Sequence, residues 1–263
     1  MESALDFFTA KALLEWQIDL GATEAILDAP VNRYDVGARS PAPHVPGPTA
    51  IAGGPAEPMP AAPDPVALAR RLAAAAPDLG ALAEAQQDFD LCELKKGARS
   101  FVFADGTPGA RVMILGEAPG RDEDLQGRPF VGRAGQLLDR MLAAIGLARA
   151  APDPDRAVYI SNILPWRPPQ NRKPEASEIA MMLPFVERHV ELAAPEILVL
   201  MGNTPCGALL GREAISRIRG TWTEALGRPV LPMFHPAYLL RTPQAKRDAW
   251  ADLLALQARL RET

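Results

Sequence analysis

The chain has 263 residues, enough for one α/β domain of roughly 150 to 200 residues and an extension. No apolar run approaches the roughly 20 residues of a membrane helix, and the first ten residues lack a signal-peptide pattern, so we expect a cytoplasmic protein with no membrane partner. The net charge of −4 is uneven, because residues 99–263 carry 21 Lys and Arg against 18 Asp and Glu, an excess that suits a phosphate-facing surface.

The N-terminal region is predicted to be separate from the rest of the chain. Within residues 1–28, Leu5, Phe8 and Trp16 lie on one side of a helical repeat, which indicates an amphipathic helix. Residues 29–64 are rich in Pro, Ala and Gly, which predicts a disordered linker. The helix either docks on the following domain or recruits a repair or replication partner, with the linker giving it reach.

Residues 65–263 are predicted to form the main domain, which begins with a helical stretch over 65–88. From about residue 100, apolar strands alternate with helices. The predicted strands are 111–116, 157–163, 196–202 and 229–235, and the helices that follow them are 134–147, 175–193, 204–211 and 243–261. This alternation is typical of a parallel sheet with helices on both faces. Asn203 or Thr204 is predicted to cap the third of these helices.

The ends of the predicted strands carry the polar residues that a binding site needs. Ligands on open parallel sheets bind beyond the carboxyl ends of the strands. The residues at these ends are Gly116, Glu117, Asn162, Gly202, Asn203 and His235. The turn after Gly116 has neither a Gly-Lys-Ser/Thr sequence nor a complete G-x-G-x-x-G, which argues against nucleoside triphosphates and nicotinamide cofactors.

Three segments resemble, in order, the motifs of the uracil-DNA glycosylase superfamily, and most closely those of its family 4. They are GEAPGRDEDLQGRPFVGRAGQLLD, YISNILPWRPPQNRKP and HPAYLLR. The resemblance covers about residues 89–260. It implies a three-layer α/β/α fold with a four-stranded parallel sheet, here with a helical N-terminal extension. It also implies hydrolysis of the N-glycosidic bond of deoxyuridine in DNA, which releases uracil and leaves an abasic site for base excision repair.

The resemblance implies a role for each matching residue of the base pocket. Gly116 and Ala118 line the pocket, and Phe130 stacks on the uracil ring. Asn162 reads the base, because its carboxamide can accept from N3–H and donate to O4, whereas cytosine presents the opposite pattern. His235 lies near uracil O2, where negative charge grows as the glycosidic bond breaks.

The group that activates the attacking water is less closely defined by the resemblance. Ala118 stands where the best-known family 1 enzymes keep an aspartate. Glu117 is the nearest carboxylate and our candidate, with Asp122 and Asp124 as weaker alternatives.

DNA contacts are expected from both of the later motifs. Leu239 corresponds to the wedge that fills the space left by the extruded base. Arg241, Arg167 and Arg172 are candidates for contacts with the DNA backbone.

The chain departs from family 4 at the cysteines that usually hold a 4Fe-4S cluster. The four matching positions are Phe89, Cys92, Trp166 and Met182, of which one is a cysteine. Because such a cluster needs four good ligands, we predict no cluster and no other metal, with a hydrophobic plug in its place. The remaining cysteine, Cys206, is expected to be a small buried hydrophobe.

Two other functions remain open for a chain with these motifs. One is a module that grips DNA but is catalytically weak or inactive. The other is the uracil-trapping type, which attaches to DNA through a histidine in an inserted basic loop; the segment WRPPQNRKPEASE has neither that histidine nor such an insertion. For the glycosylase we expect a monomer whose partner is uracil-containing DNA.

Overall fold

The computed structural model describes residues 64–262, which include almost all of the predicted main domain. The predictions for residues 1–28 and for residues 29–63 of the linker lie outside the described residues. Across residues 64–262 no helix combines the length and the apolar character needed to cross a membrane.

The described part begins with three helices, α1 (Pro65–Ala75), α2 (Leu79–Asp88) and α3 (Leu94–Gly97). The stretch predicted to be helical over 65–88 is therefore two helices. Pro77 separates them, because proline cannot supply the N–H that would continue α1. Aspartates begin both helices: the side chain of Asp64 accepts from Val66 N at 3.0 Å and that of Asp78 from Ala81 N at 2.9 Å.

The four predicted strands form the centre of a six-stranded sheet. The strands are β1 (Ala104–Gly106), β2 (Val112–Gly116), β3 (Val158–Asn162), β4 (Ile197–Met201), β5 (Thr223–Ala225) and β6 (Arg228–Met233), in the spatial order β1-β3-β2-β4-β6-β5. The middle four are parallel, as predicted, while β1 and β5 pair antiparallel with β3 and β6. The sequence missed these two edge strands because three residues are too few to show an alternating pattern.

Helices cover both faces of the sheet. The remaining helices are α4 (Arg121–Gln126), α5 (Arg133–Ala143), α6 (Ala176–Ala193), α7 (Asn203–Leu210), α8 (Ile215–Ile218), α9 (Pro236–Arg241) and α10 (Lys246–Glu262), with 3-10 turns at Pro169–Asn171 and Pro243–Ala245. Val112 and Ile114 of β2 pack in one buried cluster with residues of α5 and α10. Met113 and Leu115 pack on the opposite face with residues of α6 and α7. The predicted three-layer α/β/α architecture is confirmed.

Candidate active site

The predicted pocket residues converge at the carboxyl edge of the sheet. Gly116 and Asn162 are direct partners in the β2–β3 pairing. The rings of Phe130 and His235 have centroids 5.3 Å apart and planes inclined by 30°. A β-carbon on Gly116 would lie 2.6 Å from Phe130 Cζ and would collide with Asn162 Oδ1. Only glycine at this position lets the aromatic ring and the carboxamide approach the end of the strand together.

A cavity of about 650 Å³ opens beside this group. Four of the predicted site residues line it, namely Glu117, Ala118, His235 and Arg241, and Asn203 and Tyr238 line it as well. Asn162 and Phe130 are 7 % and 5 % exposed. Glu117 and His235 therefore lie at the cavity wall, whereas the stacking ring and the carboxamide are almost covered.

Local structure fixes the protonation of His235, the N-cap of α9. Its Nδ1 accepts from Ala237 N at 3.1 Å, so the neutral ring carries its proton on Nε2. Burial, and then the positive charge of Arg241, lower the pKa of His235 to about 4. Near pH 7 the side chain is a neutral imidazole that can donate from Nε2.

Phe130 is held in a left-handed backbone conformation, with φ of 53°, which is uncommon for an aromatic residue. Arg149 supports it by donating to the carbonyl oxygens of Pro129 at 3.1 Å and Phe130 at 2.8 Å. Ion pairs with Asp105 and Asp139, each at 2.8 Å, hold the guanidinium in turn. Sequence reasoning missed Arg149, because it lies outside all three motifs and a lone arginine in a loop carries no signal.

The three carboxylates considered for water activation have different environments. Glu117 lines the cavity, and its side chain accepts a hydrogen bond from Thr204 Oγ1. Asp124 is 7 % exposed, and its Oδ1 accepts from Arg99 N at 2.8 Å and Ser100 N at 3.1 Å, which makes it a loop anchor. Asp122 lies beside Gly132, at the start of α5, and is not among the cavity-lining residues of 64–262. Glu117 has the best position of the three.

The three arginines proposed for DNA contact also differ. Arg241 lines the cavity beside His235. The guanidinium of Arg172 forms a two-point ion pair with Glu178, whose side chain is 7 % exposed, and Nη1 donates at 3.0 Å. Arg167 Nε donates to Asn171 Oδ1 at 2.8 Å. The strong pairing of Arg172 reduces its capacity to bind a phosphate, so Arg241 is the best placed of the three.

Leu239, the predicted wedge, does not point outward in this structure. It is 1 % exposed and packs with Leu137 and Phe234 in a small cluster between α5, α9 and α10. The preceding residue, Tyr238, is 37 % exposed and lines the cavity, with its ring 4.9 Å from that of Phe234. On α9 the side chains of Tyr238 and Arg241 line the cavity, whereas Leu239 packs inside and stabilises the helix.

Comparison with known proteins decides the family. Residues 103–254 match the model of the Uracil DNA glycosylase superfamily, and this span contains all the converging residues described above. The chain belongs to the uracil-DNA glycosylase superfamily. It is 38 % identical over 170 residues to a type-4 uracil-DNA glycosylase of Archaeoglobus fulgidus. The matched residues cover 61 % of this chain and 82 % of that protein.

Two further relatives give the same result. A type-4 uracil-DNA glycosylase of Thermotoga maritima is 37 % identical over 153 residues, 57 % of this chain and 77 % of that protein. One of Saccharolobus solfataricus is 35 % identical over 181 residues, 65 % of this chain and 81 % of that protein. The resemblance to the family 4 uracil-DNA glycosylases is confirmed.

This uracil-DNA glycosylase superfamily member departs from family 4 at one buried cluster, which we call the plug. Phe89, Cys92, Trp166 and Met182 all belong to it, each at most 2 % exposed. Phe89 packs edge to face on Phe185 with ring centroids 5.7 Å apart, and Gln86 Nε2 donates to Met182 Sδ at 3.7 Å. The plug joins α1, α2 and α3 to α6 and to the segment after β3.

The side chains of the plug do not fit a 4Fe-4S cluster. Of the four matched positions only Cys92 offers a thiol, and burial raises the pKa of that thiol, which disfavours the thiolate that binds iron. Across residues 64–262 no group of three or more His, Cys, Asp or Glu side chains could hold a metal ion. The second cysteine, Cys206, is buried in the sheet core, as expected.

Proposed function

We propose that this chain is a DNA repair glycosylase that hydrolyses the N-glycosidic bond of deoxyuridine, releasing uracil and leaving an abasic site. The observation that carries the proposal is the convergence of Gly116, Phe130, Asn162 and His235 beside the cavity, in a chain whose relatives are named uracil-DNA glycosylases. Base flipping brings the target nucleotide to such a site, because its glycosidic bond is out of reach inside a duplex.

Recognition of uracil rests on Asn162 and Phe130. The carboxamide accepts from N3–H and donates to O4, a pair of bonds that cytosine cannot make. Phe130 supplies the stacking face. Since its ring is 5 % exposed and lies 5.3 Å from the His235 ring, the pocket has to open slightly when the base enters. Active-site side chains often reach their final positions only in the complex with substrate.

His235 stabilises the departing base. Negative charge grows on uracil as the glycosidic bond lengthens, and the neutral imidazole donates from Nε2 to O2. A donor fixed before the reaction favours the transition state, and losing one typically costs on the order of 10² to 10³ in rate. The bond from Ala237 N to Nδ1 gives His235 this fixed orientation.

Glu117 orients the attacking water. As uracil leaves, the sugar carbon becomes positively charged, and a carboxylate at the cavity wall can hold a water on the side opposite the leaving base and stabilise that charge. Glu117 lines the cavity, whereas the Asp124 carboxylate is engaged with backbone N–H groups. Glu117 is therefore our choice among the carboxylates that the sequence left open.

We further propose that the enzyme works without a 4Fe-4S cluster. The support is the donor set, in which Phe89, Trp166 and Met182 replace thiolates inside the plug. Iron analysis and the visible absorption spectrum of the purified full-length protein test this. Iron near four atoms per chain, with the broad absorption of a cluster, would contradict the proposal.

The activity is tested with a single-stranded oligonucleotide that contains one deoxyuridine. The full-length protein should release uracil, and Asn162→Ala and His235→Ala should each lower the single-turnover rate by about 10²-fold or more. An exposed residue of α10, Leu254, gives a matched control as Leu254→Ala, which should retain the rate. Binding of the oligonucleotide without uracil release would identify the inactive DNA-binding module, and an SDS-resistant adduct would identify the trapping type.

The DNA contacts also stay proposals. Arg241, which the sequence predicted, and Tyr238, which it did not, are the contacts that their position at the cavity supports best. The monomeric state, the cytoplasmic location and a repair or replication partner for residues 1–28 stay predictions.

A further inference from the structure

Thr204 makes a contact that its place in the chain does not explain. It is the second residue of α7, 2 % exposed, and its Oγ1 donates to Glu117 Oε2. Glu117 follows β2 and α7 follows β4, and these strands are parallel neighbours. The sheet thus brings together two residues that are 87 positions apart in the chain.

The hydroxyl of Thr204 is not used as a helix cap. The N-cap of α7 is Gly202, which has no side chain to donate or accept, and the side-chain oxygen Oδ1 of Asn203 accepts from Ile215 N at 2.9 Å. The sequence-based prediction that Asn203 or Thr204 caps this helix is therefore wrong. Each of the two side chains bonds to a different segment instead, and that of Thr204 bonds to the cavity-lining carboxylate.

We propose that Thr204 is a positioning residue for Glu117, an inference that rests on the proposed role of Glu117 in orienting water. The backbone of Glu117 is already fixed, since its carbonyl oxygen accepts from Leu164 N at 3.0 Å. What remains free is a glutamate side chain with three torsions, and ordering such a chain costs entropy. One charge-assisted hydrogen bond to Oε2 removes much of that freedom and leaves Oε1 for the water.

Threonine is well suited to this task. Its branched β-carbon restricts the first side-chain torsion, so the hydroxyl position is determined by the helix backbone. Because Thr204 is 2 % exposed, water has little access to its hydroxyl. A catalytic group is held best when the side chain behind it is itself locked by packing.

The test compares Thr204→Ser, which keeps the hydroxyl, with Thr204→Val, which keeps the shape and removes it. Single-turnover uracil release is measured with saturating full-length enzyme. We expect Thr204→Val to lower the rate about ten- to a hundredfold, because a hydrogen bond to a charged group contributes an energy in that range. The rate of Thr204→Ser should stay within about threefold of that of the unmodified protein. If Thr204→Val does not fold, Thr204→Ala replaces it. Affinity for an oligonucleotide with an uncleavable uracil analogue should be unchanged.

Glu117→Gln, and the double variant that combines it with Thr204→Val, test the role of Glu117 separately from that of Thr204. In the Glu117→Gln background the loss of the hydroxyl should change the rate by less than about threefold, because coupled residues are not additive. If removing the Thr204 hydroxyl lowers the rate equally in the unmodified protein and in Glu117→Gln, the inference about Thr204 alone is overturned. The same holds if Thr204→Val is fully active while Glu117→Gln is slow. Full activity of Glu117→Gln would overturn the role of Glu117 itself, and with it the positioning by Thr204.

Discussion

Truncating the aromatic ring of Phe89 tests whether the plug carries stability in place of metal–ligand bonds. Phe89 is 2 % exposed and packs edge to face on Phe185 at 5.7 Å. Replacement by alanine removes this contact and leaves a cavity, and changes of this type cost about 3 to 5 kcal/mol. For a domain of this size each kcal/mol lowers the thermal midpoint by about 2 to 4 °C, so Phe89→Ala should lower it by about 6 to 20 °C.

Thermal unfolding followed by circular dichroism measures the effect, with Leu254→Ala as the control. Leu254 is 44 % exposed, and its truncation should change the free energy of unfolding by about 0.5 kcal/mol or less. Phe89 is not among the cavity-lining residues of the described chain, so uracil release at 25 °C should stay within about threefold of the unmodified rate. A cost below about 1 kcal/mol for Phe89→Ala would refute the view that this cluster holds the segments together.

Three further predictions concern the site. The pKa of His235 is lowered to about 4, so the ring is neutral above that pH. The rate of uracil release should therefore be flat from pH 5.5 to 8 and fall toward pH 4. An inflection of the rate near pH 6.5 that is absent from His235→Gln would contradict this. Arg149→Met removes both donors to the backbone around Phe130 and should lower the single-turnover rate about tenfold. Arg149→Lys should give a rate between those of Arg149→Met and the unmodified protein. Equal kcat/KM for the unmodified protein and both variants would contradict this. Tyr238→Ala should weaken binding of single-stranded DNA, measured by filter binding, by about 1 to 3 kcal/mol at unchanged stability. Leu239→Ala should instead lower the free energy of unfolding, measured by calorimetry, by about 2 to 5 kcal/mol. If Leu239 were the wedge, its replacement would weaken DNA binding at unchanged stability.

The central strands and most of the helices could be predicted because their signals are local. Residues 112–116 form an unbroken apolar run, and strands buried on both faces read in this way. The edge strands β1 and β5 carry no such signal. Their position depends on pairing with β3 and β6, which is a property of the folded sheet.

The candidate site was predictable only as far as its residues fall within motifs. Gly116, Phe130, Asn162 and His235 were recognised in this way and lie together in the structure. Thr204 and Arg149 act through contacts over 87 and 19 residues of chain, which no local pattern reports.

Leu239 shows a different limit of motif reasoning. Its position in HPAYLLR indicates a role, but the direction of its side chain depends on the turn of α9 that packs against α5 and α10. Neighbouring positions on a short helix face about 100° apart, so an assignment one residue off exchanges a buried side chain for an exposed one.

The proposed absence of a cluster has a consequence for maturation in the cell. On this proposal, a domain whose α1–α3 segment is held by the packed side chains of the plug would be active as soon as the polypeptide folds, without iron and sulfide from an assembly pathway. Oxidants that dismantle exposed iron–sulfur centres would meet, at the four matched positions, a single thiol that is fully buried, that of Cys92. The proposed enzyme would thus depend on close packing instead of on the cellular metal supply.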